Sequence, residues 1–242
     1  MAYWEDFIAL PKTLTFYSFF PSIPVKEWDK IAKSFDETRR RPWKECLDFI
    51  KGRKGIALDI ACGNARHLIP FACVVDHVIG IDASEEMIKI AVRNARNAGV
   101  KNASFVIGNA SFLPFKSNTF DSAIFIAGLH NIKGRDARIK ALKELYRVLK
   151  KDGMALISVW SKWQDRWRKH FLKEFFKLPK NFGDIYISWK KDGMDVKRFY
   201  HLYSMHELKR DAKKARLKII KAWSVKKASK RHADNHFLMV KK

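Results

Sequence analysis

From Ile56 onward the apolar positions gather into short unbroken runs, "GIALDI", "DHVIGID", "ASFVIG", "FDSAIFIAG" and "MALISVW". Runs this short and continuous predict strands buried on both faces, whereas the stretches between them place apolar residues three and four apart and predict helices. "SEEMIKIAVRNARNAG" predicts a helix capped by Ser84 and closed by Gly99, and "RDARIKALKELYRVLKKDG" one that ends at Gly153. Parallel strands need crossover connections, so the alternation predicts an α/β fold. Its form is a doubly wound, mostly parallel seven-stranded sheet with helices on both faces. Residues 26–54 predict two helices around "TRRRP", with Pro42 opening the second. The aromatic N-terminal extension before them, residues 1–25, is expected to pack on the surface. Beyond Trp160 the alternation lapses in a basic, aromatic insertion over 161–203 and resumes over 204–242 as a helix and two final strands.

Charge adds a partner to this picture. The chain carries 49 Lys and Arg against 25 Asp and Glu, a net charge of +24. Such an excess opposes compaction by self-repulsion and points to a polyanion, with nucleic acid, anionic membrane and acidic protein all qualifying. The segment Lys209 to Arg231, with 11 Lys and Arg in 23 residues and Trp223 among them, suits phosphate positioning. Cys46, Cys62 and Cys73 have neither metal-site nor disulfide spacing, so no metal site is expected and a reducing, cytoplasmic setting is. Glu5 and Asp6 stand where a signal peptide needs positive charge, and no apolar run approaches the roughly 18 residues of a membrane span.

Ligands of open α/β sheets bind beyond the carboxyl ends of the strands, and the loop "DIACGNA" lies there. A nicotinamide cofactor would want G-x-G-x-x-G at this turn, but only Gly63 is present and Asp59 ends the strand. An acidic strand end and a tight small-residue turn fit a sulfonium with an amino acid head instead. Asp82, after the second strand, is placed to accept both ribose hydroxyls, and Asn109 and Ala110, after the third, to read an adenine edge. Ala61 adds a methyl group at the turn, tolerable if the backbone keeps a negative φ.

Over residues 50–160 these motifs resemble the class I S-adenosylmethionine-dependent methyltransferases: "DIACGNA" their acidic loop, "GIDAS" their ribose strand end, "GNASFLPFKSNTFD" their adenine loop and fourth strand. The resemblance implies a Rossmann-like methyltransferase sheet, a single domain over 1–242 with its cofactor-binding core at 55–160, and S-adenosylmethionine as cofactor. It would be held by Asp59, Ala61, Gly63, Asn64, Asp82, Ala83, Asn109, Ala110 and Ala127. "IAKSFDETRRRPWKECLDFI", "IAGLHN", "RFYHLY" and "DNHFLMVKK" further resemble, in order and spacing, the tRNA wobble-uridine carboxymethyl-ester methyltransferases. The chain departs from that pattern at Lys44, Asn131, Phe199 and His236. Methylation of a carboxylate on a modified anticodon-loop uridine is the chemistry implied. Its candidate residues are Arg39, His130, Arg198, Tyr200 and His201, with Phe199, Tyr203 and Trp189 as stacking partners for bases. The implied partners are tRNA and a small zinc-binding activator protein that extends the sheet at "ASFVIG"; the alternative is that the N-terminal aromatics cover that edge. Apart from these the chain is expected to be a monomer. A methyltransferase of small molecules and a non-catalytic RNA-binding relative remain the competing readings.

Overall fold

Each of the five runs becomes a strand in the computed structural model, which describes residues 15–18 (backbone), 25–175 and 181–242. β2 (Ile56–Ile60), β3 (His77–Asp82), β4 (Ala103–Ile107), β5 (Phe120–Ile126) and β6 (Leu149–Trp160) pair side by side in parallel, in the order β4-β3-β2-β5-β6. The final strands, β9 (Lys218–Val225) and β10 (Asn235–Lys241), close the β6 side antiparallel. All five residues of β4 are buried, as continuous apolar strands require when helices cover both faces. Two apolar layers result. One, around Leu58, Phe120, Leu142 and Leu238, lies under α5 (Arg135–Val148) and α7 (Met205–Lys214). The other, around Phe71, Ile88, Phe105 and Phe237, lies under α2 (Lys44–Ile50), α3 (Leu68–Ala72) and α4 (Glu85–Asn97).

An eighth strand completes the sheet. β1 (Thr15–Ser18), from the N-terminal extension, pairs in parallel with β4 from Thr15 opposite Ser104 to Ser18 opposite Ile107. It covers the edge that "ASFVIG" would otherwise leave open; Phe19 and Phe20, like the aromatics before Thr15, lie outside the described residues. The insertion after β6 contains α6 (Arg168–Phe175) and an antiparallel ribbon, β7 (Asp184–Lys191) with β8 (Met194–His201).

Ser84 caps α4 as its position predicts, its Oγ accepting from the Met87 N–H at 3.1 Å. Two boundaries differ from the pattern. α5 stops at Val148, because Leu149 already pairs with Phe120 and the "LKKDG" stretch belongs to β6. α2 begins at Lys44 instead of at Pro42: Trp43 is extended (ψ 143°), its ring packed edge-on against His67 and Phe237. α1 (Lys26–Thr38) crosses to the carboxyl end of the sheet. There Asp29 accepts from Ser84 Oγ at 2.6 Å and Asp36 from Asn64 and Asn94, both at 2.8 Å, so the N-terminal helix is tied to the loop after β2 and to α4.

Candidate active site

A cavity of about 650 Å³ opens at the carboxyl ends of β2 to β5, between the loop after β2 and the β7–β8 ribbon. Its sheet-side wall is built by backbone curvature. Ala61, Gly63 and Ala65 have φ of 57°, 53° and 66°, and Ala127, at the end of β5, has 54°. The negative φ expected of Ala61 is therefore corrected. A left-handed alanine costs about 1–2 kcal/mol; two of the three, Ala61 and Ala127, line the cavity, and Ala65 lies buried behind the same turn. The turn is held over by its hydrogen bonds: Cys62 N–H donates to the Ile81 carbonyl at 3.1 Å and Gly63 N–H to Asp82 Oδ2 at 2.9 Å. Gly128 answers Ala61 directly. A Cβ at position 128 would stand 2.4 Å from the Ala61 methyl and 2.8 Å from the Phe125 ring.

This wall holds two acids and, on the same turn, the half-buried Arg66, whose charge partly offsets Asp59. Asp82 accepts from Gly63 N–H and from Ser84 N–H (3.0 Å), leaving further lone pairs toward the cavity it lines. Burial raises its carboxyl above the usual range. Asp59 lies just behind the turn, 2% exposed, with Oδ2 lacking any hydrogen-bond partner among the described residues. Burial, then the neighbouring Asp82, pushes its carboxyl well up. Asn109 bends the loop after β4, its Oδ1 accepting from Ser111 N–H at 2.8 Å, so its oxygen is already engaged in the turn. Asn64 turns away, its amide bonded to Asp36 and to the Arg39 carbonyl. Ala83, Ala110 and Ala127 line the cavity.

The opposite wall is aromatic and cationic. His130, on the 3-10 turn Leu129–Asn131 after β5, accepts from the Trp160 N–H through Nδ1 at 3.0 Å. Burial, then His201 and Arg198, pushes its imidazole down to about 3, so the ring is neutral with its proton on Nε2. Tyr200 stacks on Trp160 at 4.9 Å and on His130 at 5.4 Å. Burial raises its phenol above 10, so it stays protonated at neutral pH. Arg198, two residues earlier on the same strand face, is 5% exposed and donates through Nη1 to Tyr200 Oη. Its guanidinium lies between Trp189 (4.9 Å), Tyr200 (5.1 Å) and Trp28 (5.2 Å), and among the described residues no carboxylate pairs with it. Burial lowers its pKa. Arg39, exposed at the end of α1, lies 5.8 Å over the other side of the cage, at Trp189.

The structure thus brings Arg39, His130, Arg198 and Tyr200 to one wall but sends His201 elsewhere. Residues alternate across a strand, and His201 faces away from Tyr200's cavity, bonded to Asp184 (2.6 Å) and Glu207 (2.9 Å). Tyr203 is fully buried in the core, where burial pushes its phenol above the usual value. Phe199 lines the cavity, and Trp189 belongs to its cage. Sequence reasoning missed Trp28, Trp160 and Phe35, whose signal as lone aromatics resembles that of any core residue. It also missed Asp29 and Asp36, whose partners lie far along the chain.

Comparison with known proteins agrees with this architecture. A model of the methyltransferase domain matches residues 57–153. A putative methyltransferase of Encephalitozoon cuniculi is 32% identical over 185 residues, spanning 75% of this chain and 80% of that protein. The tRNA (carboxymethyluridine(34)-5-O)-methyltransferase of Schizosaccharomyces pombe is 29% identical over 203 residues, 75% of this chain and 82% of its own. Among solved structures, a methyltransferase of Methanosarcina mazei superimposes with a TM-score of 0.67 at 24% identity, covering 84% of this chain and 98% of that one. A putative methyltransferase of Haloferax volcanii, in complex with the Trm112 methyltransferase activator, gives 0.64 at 15% identity, with coverage of 89% and 96%. With strand order, loop and relatives in agreement, the chain belongs to the class I S-adenosylmethionine-dependent methyltransferases and resembles those that act on carboxymethyluridine in tRNA.

Proposed function

We propose that the enzyme methylates the carboxylate of a modified wobble uridine in tRNA. The observation that carries this reading is Arg198: a buried guanidinium beside the cavity, caged by three aromatic rings and, among the described residues, without an acid partner. A buried charge of this kind is completed by an anionic ligand. Arg198 engages Tyr200 Oη, which leaves the Tyr200 proton to donate onward, and His130 offers a second donor at Nε2. The two neutral donors and the cation suit a carboxylate. That group is ionised at neutral pH and needs no base to become a nucleophile. Its task is to hold the carboxylate, strip its water and align one oxygen with the methyl group.

Asp59, Gly63, Asp82, Asn109 and Ala110 are the residues we assign to the cofactor, with Ala61, Ala83 and Ala127 in contact and Asn64 bracing the loop from behind. The unpartnered Asp59 Oδ2 and the spare lone pairs of Asp82 fit a ligand with an ammonium, a sulfonium and two ribose hydroxyls. S-adenosylmethionine supplies, when bound, an electrophilic methyl on that sulfonium. The macromolecular substrate is supported by the net charge of +24 and by the relative in Schizosaccharomyces pombe. RNA affinity is therefore expected to fall steeply with salt. An activator that docked by extending β4 would meet β1 already in place, so we read the chain as self-sufficient. The full chain should be monodisperse and active alone and lose solubility when residues 1–24 are removed; a full chain that needs a co-expressed activator would refute this.

Mass spectrometry of tRNA nucleosides decides the main assignment. Cells lacking the gene should lose a methyl ester on uridine and accumulate the free acid. An unchanged nucleoside profile would transfer the assignment to a small acid substrate.

A further inference from the structure

A second cavity, of about 400 Å³, lies on the other side of the β7–β8 ribbon. The two cavities are neighbours along the chain at three places: Lys133 and Tyr200 line the first, as does Trp160, while Arg135, His201 and Lys162 line the second. Two helices start at it. α7 has its own cap, Ser204 Oγ accepting from Glu207 N–H at 3.2 Å. α5 has none, since Gly134 precedes it at a φ of 87° without a side chain to accept the first-turn amides. The positive end of a 14-residue helix therefore meets the cavity uncapped.

Arg138, one turn into α5, makes a second and independent observation. It lines the cavity, is only 3% exposed, and its Nη1 donates to the Ile132 carbonyl at 3.1 Å. Its Nε has no partner, and among the described residues no carboxylate forms an ion pair with it. The nearby acids are engaged elsewhere. Asp184 and Glu207 flank the two ring nitrogens of His201, and Glu207 also takes Lys162 at 3.0 Å. Those contacts outweigh the burial that would raise Glu207 and hold its carboxyl down to about 2. Asp211, fully buried, takes Arg135 at 2.8 Å. Asp184 and Glu207 thus line the cavity already paired, and facing it with them are Arg138, His206, the α5 amides and Arg210, which Asp211 holds only at 3.7 Å, with Trp163 and Phe182 as flat walls.

We propose that this cavity is a phosphate-ester subsite that grips the RNA backbone beside the nucleotide being methylated. Helix amides and guanidinium groups bind phosphate oxygens by charge-assisted hydrogen bonds, and the aromatic walls take the attached ribose or base. The proposal rests on the RNA reading of the active site, but its first test does not.

That test follows the Trp163 indole signal of the full chain by NMR during titration with inorganic phosphate and with uridine 5′-monophosphate. Saturable shifts at millimolar concentration are expected, with the nucleotide binding more tightly. The double variant Arg210→Ala/His206→Ala changes two exposed side chains and leaves the fold intact. It should weaken both ligands and raise the KM for an anticodon stem-loop about tenfold, the loss of one or two phosphate contacts. Cofactor affinity and the KM for free carboxymethyluridine should not move. Absence of any phosphate-dependent shift in the unmodified chain overturns the subsite. Phosphate binding with an unchanged stem-loop KM overturns its assignment to RNA, as does an equal rise in KM for the free nucleoside. A stem-loop that is not methylated at all would sink the reading of the active site, and the phosphate titration would still decide the cavity.

Discussion

The two walls of the main cavity differ in electrical character: acids gather on one, with Arg66 on the same turn offsetting Asp59 in part, and a guanidinium caged by aromatic rings stands at the other. On the sheet side, Asp59 is a buried and Asp82 a half-buried carboxylate, both raised by desolvation, and Asp59 has an unpartnered oxygen among the described residues. On the ribbon side, Arg198 is a buried guanidinium lowered by burial, with aromatic faces in place of an acid. A fold selected for stability alone would pair such charges or remove them. Kept apart, they prepare a place for a cation on one wall and an anion on the other. In the proposed reaction the methyl would pass from the first to the second.

Removing either charge tests that division. Arg198→Met should lower kcat/KM for a carboxylate-bearing stem-loop by at least about a hundredfold, near 3 kcal/mol of the kind lost when one partner of a buried charge pair goes. Calorimetric affinity for S-adenosylmethionine should stay the same; a parallel loss of cofactor affinity would erase the distinction between the walls. Asp82→Ala should do the reverse, weakening cofactor binding by roughly 1.5–3 kcal/mol, the range for hydrogen bonds to a charged group. An unchanged calorimetric Kd would remove Asp82 from the site.

The pH dependence sharpens the same contrast. His130 is held neutral in the folded chain down to about pH 3, whereas an unfolded imidazole titrates near 6.5. The unfolded state therefore binds the extra proton, and the stability is fully present above about pH 6.5 and lost as pH falls toward 3. At pH 5 this one group should lower unfolding free energy by about 2 kcal/mol. His130→Gln should flatten that part of the Tm-versus-pH curve, and a wild-type Tm that stays level between pH 7 and 5 would contradict the buried neutral ring. The smallest effect is expected at the turn. Ala61→Gly removes a left-handed alanine and should stabilise the chain by about 1 kcal/mol, less any gain in unfolded-state freedom. Denaturant unfolding that shows a loss instead would mean that the Ala61 methyl contributes more through contact than it costs in strain.

The sheet was legible because its evidence is local: unbroken apolar runs, a serine before an acidic helix start, and glycine or alanine where the chain turns. The helix end misassigned to Gly153 shows the limit, since Leu149 leaves the helix to pair with Phe120, a partner no window around it contains. At the site, "RFYH" could be read only as a set. The fold then divides it: Phe199 and Tyr200 line one cavity, with Arg198 bonded to Tyr200 beside it, and His201 lines the other. The aromatic surroundings were legible only in part: Trp189 and Tyr200 could be named, but Trp28 and Trp160 come from α1 and β6 and meet them only in the folded chain.

β1 leaves the ribosome well before β4, the strand it pairs with, has been made. Its pairing closes a long loop for only four paired residues, so the edge it covers is expected to close late and to open more readily than the rest of the sheet. β4 leads directly into Gly108 and Asn109 at the cofactor wall, so occupancy of that wall and closure of the edge draw on the same few residues. Amide hydrogens of Ser104 to Ile107 therefore report the cofactor from the far side of the strand. Their exchange should slow when S-adenosylmethionine binds, although none of them faces it.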